Sequence, residues 1–200
     1  MKQSITPVID NLDKQLTYRK QMKRYEIAVK SGFYLEAMVI VYSMIEDRCL
    51  AFLDHAGVAN RNDLKVYSKV RNDIRSILSL GENEKLTIRN INNKLAIIRK
   101  IVIWASNSSE ISEKERYKYL LKSHLAEKIE INELLEVLNE IEKWCDTRNE
   151  YIHALLNKNR FDAEKKLKDF VESGYLLARK LDNIENRFKR NNKIKKCMNL

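Results

Sequence analysis

The sequence predicts an all-α protein, a single elongated bundle of about six or seven helices. Three observations lead there. Glycine occurs 4 times and proline once in 200 residues, far less turn punctuation than a β-rich chain needs. Long segments repeat apolar residues at intervals of three and four, which lines one face of a helix. Apolar residues make up 44% and charged residues 33%, a balance that suits a folded chain and excludes a disordered one. Nothing resembles a repeat or a linker, so residues 1–200 read as one domain.

Taken in order, Thr6 followed by Pro7 has the form of an N-cap with proline at the first helical position, and a helix carrying Ile9, Leu12, Leu16 and Tyr25 is expected to reach Lys30. Ser31-Gly32 breaks it. A second helix from Phe33 to about His55 places Ala37, Met38, Val41, Met44, Ile45, Cys49 and Phe52 on a core-facing stripe, and Gly57 closes it. A weaker helix is predicted over Asp63 to Leu80, stopped by Gly81. The next, Leu86 to Ala105, carries Ile88, Ile91, Leu95, Ile98 and Val102 and is widened by Ile97, Ile101 and Trp104.

After the loop Asn107-Ser108-Ser109, Ser112 and Glu115 have capping-box spacing for a short helix to His124. A long helix from about Glu130 to Leu156 buries Leu134, Leu138, Ile141, Cys145 and Ile152. A last helix from about Asp162 runs past Phe188 into a basic tail of Arg187, Lys189, Arg190, Lys193, Lys195 and Lys196. Trp104 and Trp144 fall on apolar stripes and so belong to a core or a dimer contact. His55 and His124 show no obvious partner and are expected at the surface.

The formal charge of +10 favours an anionic partner, nucleic acid first. The basic tail suits RNA backbone by charge attraction, or else frays. Cys49, Cys145 and Cys197 lack metal-ligand spacing; their odd number and a start without a signal-peptide pattern point to reduced thiols in the cytoplasm. The most apolar stretch, Phe33 to Ile45, is interrupted by Glu36 and ends at Glu46-Asp47-Arg48, so no membrane partner is expected.

The residues that suggest chemistry lie near the end of the long sixth segment: Asp146, Arg148, Asn149 and His153. At about 100° per residue, Asp146, Asn149 and His153 share one helical face, where Asn149 can orient the imidazole and Asp146 can raise its basicity. Arg148 lies about 140° from His153, so either its side chain wraps back or a second copy of the helix supplies the facing pair. A histidine exchanges protons near neutrality, and a guanidinium grips phosphate oxygens and stabilises developing charge. With RNA the 2′-hydroxyl is a built-in nucleophile, so neither metal nor cofactor is called for. Glu46, on the partner helix, is a candidate supporting carboxylate. The purely structural alternative pairs Arg148 with Glu142 or Glu46 and bonds His153 to a carbonyl at the helix end.

The run Arg148-Asn149-Glu150-Tyr151-Ile152-His153 resembles the signature of the HEPN superfamily: an arginine, a polar residue after it, and a histidine beyond four to six residues. The stretch Tyr34 to Arg48 resembles that family's long early core helix. The resemblance covers Tyr25 to Ile184 and is sharp only over the six-residue motif. It implies a metal-independent endoribonuclease of the toxin or phage-defence kind that dimerises so that two motifs form one cleft. Arg148 would then contact the scissile phosphate, His153 would be the acid/base, and an antitoxin or other regulatory protein would restrain the enzyme. Toxins paired with a nucleotidyltransferase often carry tyrosine two residues after the histidine, and here Leu155 stands there. The alternative from another class is a non-catalytic helical module that binds protein or nucleic acid.

Overall fold

The computed structural model describes residues 11–81, 83–156 and 160–200, with side chains from 16–81, 83–153 and 166–200. The Thr6-Pro7 cap, Ile9 and the side chain of Leu12 lie outside that range. Among the described residues the fold is all-α: α1 (Asn11–Lys30), α2 (Tyr34–His55), α3 (Arg71–Ile77), α4 (Ile91–Asn107), α5 (Arg116–Lys128), α6 (Ile131–Leu156), α7 (Arg160–Lys189) and α8 (Ile194–Met198). A two-residue hairpin of β1 (Ala59–Asn60) and β2 (Lys65–Val66) and a 3₁₀ turn, Ser68–Val70, sit between α2 and α3. No helix among the described residues is long and apolar enough to cross a membrane.

Helix α2 is the centre of the bundle, packing most extensively on α7 and also on α1 and α4. The four consecutive residues Leu50, Ala51, Phe52 and Leu53 are all buried, so this turn of α2 is enclosed on every side. Phe52 stacks on Phe188 of α7 at 4.6 Å. Helix α6 lies against α7 and α4. Trp144 of α6 stacks on Phe170 of α7 at 4.9 Å and donates its indole N–H to the Phe170 carbonyl at 3.0 Å.

Two helix ends follow from glycine as expected. After α1, Gly32 takes φ +74°, with Gly32 N–H donating to Val29 O and Phe33 N–H to Ala28 O. After α2, Gly57 takes φ +70°, with Gly57 N–H donating to Asp54 O and Val58 N–H to Leu53 O. Both are left-handed Schellman closures.

The structure departs from the sequence expectation at several places. Residues 63–80 are not one helix. Asn60 Oδ1 accepts from Asn62 N–H at 2.9 Å and Asp63 Oδ1 from Lys65 N–H at 3.2 Å, so local turn chemistry makes a hairpin where apolar spacing suggested a helix. Helix α3 then ends without glycine: Ser79 adopts φ 53° and Leu80 N–H donates back to Arg75 O, two residues before Gly81.

Helix α4 starts at Ile91 and not at Leu86, because Asn90 Oδ1 accepts from Asn93 N–H at 2.8 Å and caps it there. Helix α5 starts at Arg116. Ser112 instead closes a turn, and Glu115 turns its carboxylate to Lys118 Nζ at 2.8 Å rather than back to Ser112.

The basic tail is folded as α8, not frayed. Asn192 Nδ2 donates to His55 O at 2.9 Å, Lys69 Nζ donates to Asn199 O at 2.7 Å, and Ile194 is buried. Finally, His124 is buried, with Nε2 2.6 Å from Phe188 O, and His55 is half-buried with Nδ1 2.7 Å from Glu185 Oε1.

Candidate functional site

Helix α6 brings Cys145 to the core and Arg148, three residues later on the same side, to the rim beside α2. The Arg148 guanidinium carbon stands 4.3 Å above the centre of the Tyr42 ring. Nη1 donates to Asn149 Oδ1 at 3.0 Å, while Nε is buried without a partner. Among the described residues no carboxylate lies within ion-pair distance of Arg148. The two carboxylates considered from the sequence are engaged elsewhere: Glu142 with Arg99 at 2.7 Å and Glu46 with Lys94 at 2.7 Å.

The surroundings keep the neighbouring acids neutral. Burial raises the Tyr42 hydroxyl above its usual range, with Glu46 and Cys145 adding and Arg148 opposing. Burial likewise pushes the Cys145 thiol up to about 12, against the pull of Arg148. The Cys49 thiol is pushed up further by the same cause. Arg148 therefore rests on an uncharged ring beside an uncharged thiol.

The remaining motif residues are less tightly assembled. His153, one turn beyond Asn149, is exposed and has no hydrogen-bonding or ionic partner among the described residues. Asp146 is exposed. Asn149 is bonded to Arg148, whereas the face it shares with His153 suggested an imidazole-orienting role. No hydrogen bond joins Arg148 to His153 within the chain. Glu46 is not aimed at the motif histidine; it neutralises Lys94, which is only 2% exposed.

The six basic residues near the C-terminus divide into two groups. Arg187 pairs with Glu133, and Lys195 Nζ lies 2.9 Å from Asp54 Oδ1 and 5.7 Å from the Tyr67 ring centre. Burial works against the charge of Lys195, but the Asp54 contact outweighs it and raises the ammonium pKa. Lys189, Arg190, Lys193 and Lys196 are exposed and carry no ion pair among the described residues.

Three features were missed from the sequence: the Tyr42 platform, the buried Lys94, and a cluster joining α2 to α7. In that cluster Arg48 Nη1 lies 3.0 Å from Asp182 Oδ1 and 3.7 Å from Glu185 Oε2, over the Tyr18 ring at 4.8 Å. His55 reaches the other oxygen of Glu185, a carboxylate only 2% exposed. Arg48 and His55 also have the arginine–six residues–histidine spacing. A seven-residue step is about two helical turns, so they share a face. That spacing was the available signal, although Cys49 follows Arg48 where the motif has a polar residue.

No group of three or more histidine, cysteine or acidic side chains able to hold a metal occurs among the described residues. No protein-family model, no curated protein and no solved structure matches the chain.

Proposed function

We propose that the chain is a metal-independent endoribonuclease of the HEPN type, acting in the cytoplasm as a homodimer and serving as a toxin or phage-defence effector. The observation that carries this reading is Arg148 itself, a half-buried guanidinium with no carboxylate partner among the described residues, one and a half turns before the exposed His153. In the proposed reaction the 2′-oxygen of RNA attacks phosphorus and the bond to the 5′-oxygen breaks. One imidazole removes the 2′-hydroxyl proton and a second, from the partner copy, delivers a proton to the leaving 5′-oxygen. The products are a 2′,3′-cyclic phosphate and a 5′-hydroxyl. Arg148 stabilises the charge that gathers on the phosphate oxygens. An antitoxin or other regulatory protein would hold the enzyme in check.

The test is cleavage of RNA in excess EDTA by the wild type and by Arg148→Ala, His153→Ala and His55→Ala. The first two substitutions are expected to lower the rate by about 10²-fold or more, the ordinary worth of a positioned acid/base or charge-stabilising donor. His55→Ala is expected to cleave normally if it folds normally. Cleavage untouched by His153→Ala would refute the assignment, and loss confined to His55→Ala would move it to the α2–α7 cluster.

A second reading is favoured by the lack of a hydrogen bond between Arg148 and His153 and by four exposed cations at the α7–α8 end that carry no ion pair among the described residues. It makes the chain a non-catalytic module whose basic surface binds nucleic acid or an acidic protein. RNA bound reversibly, with strong salt dependence and no turnover, is its signature.

A further inference from the structure

The setting of Arg148 differs from that of five other arginines in the fold. Arg24, Arg48, Arg61, Arg99 and Arg187 each reach a carboxylate. Arg148 is held instead by two neutral groups, the face of Tyr42 and the amide oxygen of Asn149. A ring face attracts a cation without cancelling its charge, and a guanidinium held over a ring can still use donors that are not turned towards it. Nη1 is occupied by Asn149, and Nε is sealed inside. Nη2 has no partner among the described residues. The platform thus restrains a long side chain in advance of binding and leaves Nη2 without a partner among the described residues.

We infer that Tyr42 is a positioning residue for anion recognition: its ring, with Asn149, fixes the Arg148 guanidinium so that the Nη2 edge takes a non-bridging oxygen of an RNA phosphate. The platform rests on the geometry above; the identity of the anion rests on the ribonuclease reading. In this arrangement Tyr42 acts through Arg148 and does not touch the substrate. Its hydroxyl is dispensable and its aromatic face is not.

The experiment compares wild type, Tyr42→Phe, Tyr42→Leu, Arg148→Ala and the double variant Tyr42→Leu/Arg148→Ala. The probe is a fluorescein-labelled 2′-O-methyl RNA oligonucleotide, whose blocked 2′-oxygen prevents cleavage. Tyr42→Leu is expected to weaken binding about two- to five-fold, the range of a partly exposed cation–π contact. Tyr42→Phe should bind as wild type, and the double variant no more weakly than Arg148→Ala alone, because the two residues act as one unit. In ¹⁵N spectra the Arg148 Nε–Hε resonance should shift in Tyr42→Leu and stay in place in Tyr42→Phe, a change that a general loss of packing would not confine to one side chain.

Additive losses in the double variant, or wild-type binding by Tyr42→Leu while Arg148→Ala is weakened, would overturn the positioning role alone. Unchanged binding by Arg148→Ala would remove the phosphate contact and the inference with it. If Arg148→Ala weakens binding and the cycle is non-additive, yet unmodified RNA is never cut by the wild type, the positioning role stands and the nuclease reading fails.

Discussion

Lys94 lies almost wholly inside the bundle, 2% exposed, and its ammonium meets the Glu46 carboxylate at 2.7 Å across the α2–α4 contact. The two ends of this pair are unequal. Glu46 keeps about a third of its side chain in solvent, so it can hydrate if left alone, whereas Lys94 cannot. Glu46→Gln should therefore destabilise the fold towards the low end of roughly 3–5 kcal/mol, the cost of stranding one member of a buried pair. Lys94→Met should cost far less. Urea denaturation of both variants checks this, and equal losses would contradict it.

Gly174 of α7 lies directly under Trp144 of α6, and a Cβ built there would overlap the indole ring. Gly→Ala inside a helix is ordinarily worth about 1 kcal/mol in stability. Here the sign should reverse, since the indole is stacked on Phe170 and hydrogen-bonded to its carbonyl and has little room to give. Gly174→Ala is expected to lose about 1–3 kcal/mol, roughly 3–10 °C in melting temperature for a chain of this size. A raised melting temperature would show that α6 and α7 can separate freely.

Alkali should weaken the fold through Cys145. Burial raises its thiol to about 12, above the ordinary thiol value near 9 that it regains on unfolding. Between those values the folded state holds a proton that the unfolded state has lost, so stability falls as pH rises; below the lower value the contribution is fully present. Cys145→Ala should lower the stability at neutral pH by removing packing, yet flatten the fall between pH 9 and 12 by about 1.4 kcal/mol per pH unit. Unfolding titrations of the two proteins across that window give the comparison. Parallel slopes would mean that Cys145 titrates normally.

If RNA binds the α7–α8 end, its salt dependence should come from the exposed cations that carry no ion pair among the described residues. Replacing Lys189, Arg190, Lys193 and Lys196 by glutamine should reduce the slope of log K against log salt by about 0.7 for each, the single-strand value per phosphate contact. Lys195→Gln should change it much less, because Asp54 already neutralises Lys195. Binding isotherms from low to moderate salt measure both slopes. A large effect of Lys195 alone would place the contact elsewhere.

The helical character and the long segments α2, α6 and α7 were legible because each carries several apolar residues at helical spacing, the strongest local signal a sequence holds. Gly32 and Gly57 marked helix ends for the same local reason. Where short polar side chains bond their own backbone, as at Asn60, Asp63 and Asn90, apolar spacing misled about where helices begin. The candidate site was legible only in part. Arg148 and Asn149 stood out, but their bond to each other did not follow from their faces on an ideal helix, because a long side chain can fold back along its own turn.

What the sequence by itself determined is the long helices, their apolar faces and a surplus of positive charge, since these depend on residues near one another in the chain. Only the tertiary structure decided which charges stand alone. Tyr42 and Arg148 are separated by more than a hundred residues, as are His55 and Glu185, and their contacts exist only because α2 and α6 both pack against α7 in one register. Periodicity within a helix says which side is buried, but it carries no information about which residue of a distant helix will face it.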